Sequence, residues 1–207
     1  MRLDRVLWLH IGVVGVLFAL QFVVSDYNHL TLARSMVLAV YAIGFNVLFG
    51  YTGLLSLGHA MFFAAGLYGA GLSAYHLGLS VPIAFVVGLA SGLVLGAIVG
   101  WIALRTTGVS FMIVTMMFAQ ALYLTSLYFV EWTRGDEGFV LPQAARSFDL
   151  LGLGFDLTSP TVRYNIACLL LLAAILFALA LERGPRGRLL VAIRENEERT
   201  RMLGFDT

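Results

Sequence analysis

Long apolar runs separated by short polar breaks dominate the chain. Six of them, Val6–Val24, Leu32–Phe49, Leu54–Leu77, Val81–Ala103, Gly108–Val130 and Val162–Leu181, have the length of membrane-crossing helices. About 20 residues at about 1.5 Å each match a hydrocarbon core of about 30 Å. The pattern predicts an all-α fold, a polytopic transmembrane helical bundle of about six spans within residues 1–181, followed by a polar segment over 182–207. The first run is 19 residues long and no clear A-x-A site follows it. A signal-peptide core is shorter, about 7–15 residues, so this run reads as a first helix that stays. Leu32–Phe49 and Leu54–Leu77 in one helix would reach about 69 Å, twice the hydrocarbon thickness. The chain therefore turns back between them, at Gly50-Tyr-Thr-Gly53. The mixed stretch from Glu131 to Pro160 reads as an external loop.

Two glycine patterns stand out against this background. Gly50 to Gly71 holds six glycines together with Ser56 and His59. Glycine weakens a helix interior, and irregular backbone at membrane depth is tolerated only against protein or a water-filled cavity. Such a segment either packs tightly against a neighbour or lines a solute pathway, because interrupted apolar segments are where transporters place their sites. Both readings stay open from the residues alone. Gly88, Gly92, Gly96 and Gly100 recur every fourth residue, a GxxxG ladder that predicts a close helix crossing.

Composition narrows the class. Of 207 residues 60% are hydrophobic and 12% charged, half the charge of a soluble domain, where about a quarter of residues are charged. A soluble enzyme or nucleic-acid binder is excluded, and the lipid bilayer is the first partner. The net charge of +1 sits in the loops. The single cysteine, Cys168, lies in an apolar run and reads as a small buried hydrophobe; no disulfide framework or zinc cluster is possible.

All 13 basic residues are arginine. Six crossings put Arg2, Arg5, Arg105, Arg183, Arg186, Arg188, Arg194, Arg199 and Arg201 on one side, and Arg34, Arg134, Arg146 and Arg163 on the other. Positive charge stays inside, so both termini are expected to be cytoplasmic. The absence of lysine has a second consequence. A P-loop requires G-x-x-x-x-G-K-[ST], so the chain holds no Walker A site of its own and any ATP is bound by a partner. No HExxH occurs, and Gly108-Val-Ser110 lacks the second glycine of a nucleophile elbow. No enzyme, no metal and no cofactor in this chain are expected. His59 is the sharpest ionisable group in a span, but without a carboxylate or second histidine beside it the pattern fits packing as well as function.

After Gly184-Pro-Arg-Gly-Arg188 interrupts the sixth helix, Leu189–Leu203 reads as one short helix closed by Gly204. Leu189, Ala192, Ile193, Asn196 and Leu203 share a face, and Glu195–Arg199 and Glu197–Arg201 are spaced for ion pairs. It is either a solvated helix attracted to anionic lipid or a helix that docks a soluble partner.

Three blocks, in order, resemble one family. Gly44-Phe-Asn46-Val-Leu-Phe-Gly50-Tyr-Thr-Gly53-Leu-Leu-Ser56-Leu-Gly58-His59-Ala-Met-Phe62 is similar to the signature of ABC-type branched-chain amino acid permease subunits (LivM-like). Leu104-Arg-Thr-Thr-Gly108-Val-Ser-Phe-Met-Ile-Val-Thr115 resembles the family's next block, and Gly187–Glu197 with Leu203-Gly204 resembles its cytoplasmic coupling loop. The resemblance implies the membrane subunit of an ATP-driven importer for branched-chain or related amino acids in a bacterial inner membrane. Its partners would be a second permease subunit, ATP-binding cassette subunits and an external solute-binding protein. Asn46, Ser56, Gly58, His59 and Phe62 become candidates for the substrate pathway; Ala192, Ile193, Arg194, Glu195, Asn196, Leu203 and Gly204 become candidates for ATPase coupling. Similar permeases serve urea, short amides and aromatic acids, and a carrier or structural scaffold independent of ATP is the rival from another class. The carrier is disfavoured because every Asp and Glu falls outside or at the edge of the spans.

The sequence departs from the family in two places. The external T-G-G-x-x-G becomes Thr133-Arg134-Gly135-Asp136-Glu137-Gly138. Family members also continue beyond the coupling loop with further helices, so a C-terminally truncated form, a fragment or a split subunit is expected.

Overall fold

Helices satisfy their own backbone polar groups, which is what an apolar chain in lipid requires. The computed structural model describes residues 2–138, 140–141, 146–150 and 153–205. In order come α1 (Arg2–Leu20), α2 (Asp26–Asn46) prolonged by a π-helical turn (Val47–Tyr51), α3 (Ala60–His76), α4 (Val81–Ala103) and α5 (Val109–Tyr128). A short α6 (Val130–Thr133), a 3-10 turn (Gly135–Glu137) and strands β1 (Ser147–Leu150) and β2 (Leu153–Asp156) follow, then α7 (Pro160–Arg183), α8 (Pro185–Glu195) and α9 (Glu197–Met202). Proline opens α7 and α8 and lies in the first turn of α4, where its missing N–H costs nothing.

The all-α polytopic architecture is therefore present. Among the described residues, four helical stretches are long and apolar enough to cross a membrane: Asp26–Tyr51, Val81–Ala103, Val109–Tyr128 and Pro160–Arg183. The apolar part of α1 is the shorter Trp8–Leu20, and α3 has 17 residues. Instead of a bare loop between Glu131 and Pro160 there is a small antiparallel hairpin, Ser147 opposite Asp156 and Leu150 opposite Leu153, with the Phe148 and Phe155 rings stacked at 5.5 Å.

The chain divides into two compact units. The first, Met1–Gly53 with Ser159–Thr207, packs α2 along α7 around Ala33, Met36, Tyr164, Ala167, Cys168 and Leu171. Small residues on α7 let the helices close, and Cys168 is buried among them. Tyr164 is fully buried, and its hydroxyl donates to the Leu17 carbonyl at the end of α1.

In the second unit, Leu54–Thr158, α3 and α4 form an antiparallel pair, and Met61, Val99, Ala103 and Phe111 make the core. Three of the ladder glycines face α3. A Cβ on Gly88 would lie 2.6 Å from the Gly66 carbonyl and 2.9 Å from Ala70 Cβ. One on Gly92 would lie 3.4 Å from the Phe62 carbonyl, and one on Gly96 4.0 Å from the Phe62 ring. Gly100 meets nothing within 4 Å. Each four-residue step drifts about 40° around a helix with 3.6 residues per turn, so the fourth glycine has rotated away from the seam.

Several helices differ from the expected bounds: α1 ends at Leu20 instead of Val24, and α2 begins at Asp26 instead of Leu32. The third begins at Ala60, not at Leu54: Gly53–Ser56 have no regular structure and Leu57–His59 form a turn. Gly53 terminates the preceding helix in the left-handed conformation, at φ 74°. The tail is not one helix from Leu189 to Leu203. Asn196 is extended (φ −164°, ψ 102°) and caps α9, its Oδ1 accepting from the Arg199 amide at 2.8 Å. Asparagine offers the backbone this alternative to helix continuation. The break separates Glu195 from Arg199; Glu195 pairs with Arg194 at 3.2 Å, while Glu197 and Arg201 pair at 2.9 Å within α9.

Candidate functional site

The five pathway candidates fall in different units. Asn46 ends α2 in the first unit, exposed, with its Oδ1 against the Cα of Gly50 in the π-turn. An added methyl at Gly50 would collide with that oxygen. Ser56, Gly58, His59 and Phe62 belong to the second unit, in and just beyond the unwound stretch before α3.

Gly58 is buried because its Cα sits directly on the Thr115 carbonyl of α5, with Ala119 Cβ 3.2 Å from where a side chain would start. Thr115 itself is buried, its hydroxyl donating to the Met112 carbonyl at 2.9 Å. Ser56 is 3% exposed, and its hydroxyl has no hydrogen-bond partner among the described residues. Burying a hydroxyl unbonded costs about 1–3 kcal/mol. His59 is half-buried and its ring meets the Phe62 ring edge-on at 5.5 Å. Phe62 in turn lies along Gly92 and Gly96, where the absent side chains make room for it.

The second unit also holds cavities that none of these candidates line, two of them between its helices. One of about 400 Å³ lies between α3, α5 and α6, against Tyr68, Leu72, Leu122, Phe129 and Trp132. Another of about 590 Å³ is rimmed by Tyr75, His76, Glu131, Arg134 and Glu137. His76 joins their walls, with its Nε2 3.0 Å from the Trp132 carbonyl and its ring 5.0 Å from the indole.

The tail candidates sit on α8 and α9 of the first unit. Ala192, Arg194 and Glu195 are exposed, Ile193 is half-buried, and Asn196 is the break between the helices. Leu203 is 72% and Met202 84% exposed, an apolar end left open by the described residues, and Gly204 follows at φ 87°. Arg194 reaches back: its Nη1 donates to the Gly50 carbonyl, and its stem passes over Gly53.

The family described as branched-chain amino acid transport system / permease component matches residues 27–207. The chain belongs to this permease family. Among curated relatives, the high-affinity branched-chain amino acid transport system permease protein LivM of Escherichia coli (strain K12) is 31% identical over 193 residues, covering 83% of this chain and 44% of the relative. The protein of that name from Salmonella typhimurium is 30% identical over 209 residues, covering 90% of this chain and 48% of the relative. This permease chain thus spans about half the length of the curated relatives it matches. No solved structure matches it.

Membership makes the chain a multi-pass membrane transport component and not an enzyme. Arg134 is left-handed at φ 61°, a conformation glycine adopts without cost. Its guanidinium lies 3.4 Å from the Tyr75 hydroxyl.

Sequence reasoning missed three features. The Arg194–Gly50 contact joins residues far apart in the chain, and no local pattern announces it. Nothing in the local sequence marks Arg134 as left-handed. His29 was passed over although it is 4% exposed, with its Nε2 3.1 Å from the Gln21 carbonyl and its ring 5.2 Å from Tyr164. The signal for His29 was its place in the first turn of α2 after Asp26, which lies 3.6 Å from its Nδ1.

Proposed function

We propose that this chain is the membrane-spanning permease component of an ATP-driven importer for branched-chain or related amino acids, in a bacterial inner membrane. The observation that carries the reading is the family match over residues 27–207, which takes in both the glycine-rich stretch and the tail. The relatives' printed names supply the solute class. ATP-binding cassette subunits, a second permease subunit and an external solute-binding protein complete the machine; ATP is bound on the cassette subunits, since no lysine exists here to build a P-loop.

The orientation has both termini cytoplasmic and the Glu131–Pro160 segment external. Arg105, on the cytoplasmic side, lies 4.5 Å over the Trp101 ring, an arginine–indole pair suited to the membrane interface. The six-span topology, with residues 182–207 as the coupling segment, also gives the unwound stretch a role. The 17 residues of α3 reach about 26 Å, short of the about 30 Å of hydrocarbon. The non-helical backbone around Ser56 then completes the crossing, where lipid tolerates it only against protein or along a water-filled path. Asn46, Ser56, Gly58, His59 and Phe62 are the residues assigned to that path.

The tail test uses its exposed apolar end. Ile193 is half-buried by its own chain, so a charge there would disturb this subunit as well as a partner. Leu203 is open, and Leu203→Asp leaves the core of the unit untouched. A carboxylate buried without a counter-charge in the partner's groove costs about 3 kcal/mol, equivalent to about a hundredfold in affinity. Co-purification of the ATPase with the full membrane complex should fall accordingly while this chain remains inserted. Undiminished recovery of the ATPase would mean that the tail is a solvated helix with no docking role.

A further inference from the structure

The π-turn at the end of α2 is held by the tail of its own unit. π-Turns break helical regularity and recur at functional positions. The last carbonyls of any helix lack intrahelical donors and lie at the negative end of its dipole. Arg194 answers both needs by donating Nη1 to the Gly50 carbonyl. Its Nη2 is 3.2 Å from Glu195 Oε1, so the guanidinium fork is fixed from both sides.

Glycine at position 53 makes the approach possible. A Cβ there would stand 2.7 Å from Arg194 Cγ. Tyr51, the last residue of the π-turn, lies within electrostatic reach of Glu182 near the end of α7. On the helix side, Asn46 Oδ1 rests on Gly50. A continuous path of contacts thus runs from α8 through Gly50 to a pathway candidate, all within the first unit.

We propose that Arg194 is a positioning residue that carries displacement of α8 to the π-turn and Asn46, so that cytoplasmic motion reaches the solute path. This rests on the reading of the tail as the ATPase-docking segment. It separates two roles within that segment: Leu203 offers surface to the partner, whereas the Arg194 head is engaged inside its own chain.

The test is solute moved per ATP hydrolysed by the complete importer in proteoliposomes, with ATPase content measured in parallel. Arg194→Ala should lower that ratio about tenfold, the scale of a typical coupling between sites, while the ATPase still co-purifies. Arg194→Lys keeps a cation able to donate to one carbonyl but loses the fork, and should recover the ratio to within about threefold of the parent. Gly53→Ala, which pushes the arginine stem aside, should lower the ratio too. Combining it with Arg194→Ala should add little, because both act through one contact. An unchanged ratio in Arg194→Ala, full additivity in the double variant, or loss of the ATPase from the Arg194→Ala complex would each overturn the proposal. A parent complex that does not retain the ATPase would overturn the docking reading itself.

Discussion

Gly58→Ala is expected to destabilise the folded protein by about 3 kcal/mol. The new Cβ would fall inside the van der Waals surface of the Thr115 carbonyl, and Ala119 Cβ stands 3.2 Å away on the same side. A side chain could swing aside; a backbone carbonyl within α5 cannot move without breaking the helix ladder around a buried residue. Overpacking against a rigid neighbour costs about 3 kcal/mol, at the severe end for a single methyl. For a chain of this size that lowers the melting temperature by about 6 °C or more. Thermal unfolding of the detergent-purified complex, followed by size-exclusion recovery, checks it. A melting temperature equal to the parent's would show that the Gly58–Thr115 approach is not part of the folded protein.

The glycine ladder of α4 should give effects of opposite sign at its two ends. Gly88→Ala introduces a methyl 2.6 Å from the Gly66 carbonyl and 2.9 Å from Ala70 Cβ, so α3 and α4 must separate. We expect a loss of about 2–3 kcal/mol from that strain. Gly100→Ala meets nothing within 4 Å, and alanine is favoured over glycine in a helix interior by up to about 1 kcal/mol. That variant should be neutral or more stable. The same melting assay on both variants decides the point. Equal destabilisation by the two would contradict a packing seam limited to the first three glycines.

Much of the helical architecture was legible because hydrocarbon imposes it. Apolar runs of crossing length have few alternatives to helices, and α4, from Val81 to Ala103, has the bounds its pattern predicts. The glycine ladder was readable as a face, but the drift that frees Gly100 needed the partner helix to be seen. The start of α3 was not legible. Leu54 to His59 is apolar enough to continue a helix, and what unwinds it is tertiary: Gly53 turns left-handed, and Gly58 presses on a carbonyl more than fifty residues away. Asn196 was counted as one member of a helical face. Its capping side chain competes with the helix, a choice the local sequence leaves balanced.

The candidate site was legible as a list of residue types and much less as geometry. Ser56 stood out as a polar residue in an apolar run; that its hydroxyl is buried and unsatisfied among the described residues follows only from packing. Gly50 and Gly53 were read as the place where the chain reverses. Their second property, room for Arg194, depends on a helix that begins more than 130 residues later.

ATP-dependent uptake of labelled leucine, isoleucine or valine into proteoliposomes is the most direct measurement of the central claim. The vesicles would carry this chain with its partner permease, ATPase and binding protein. Uptake that requires this chain, requires ATP and is lost when the partner ATPase carries an inactivated nucleotide site is the predicted result. Uptake that continues without ATP, or that proceeds equally when this chain is omitted, would contradict the assignment of the chain as the permease of an ATP-driven importer.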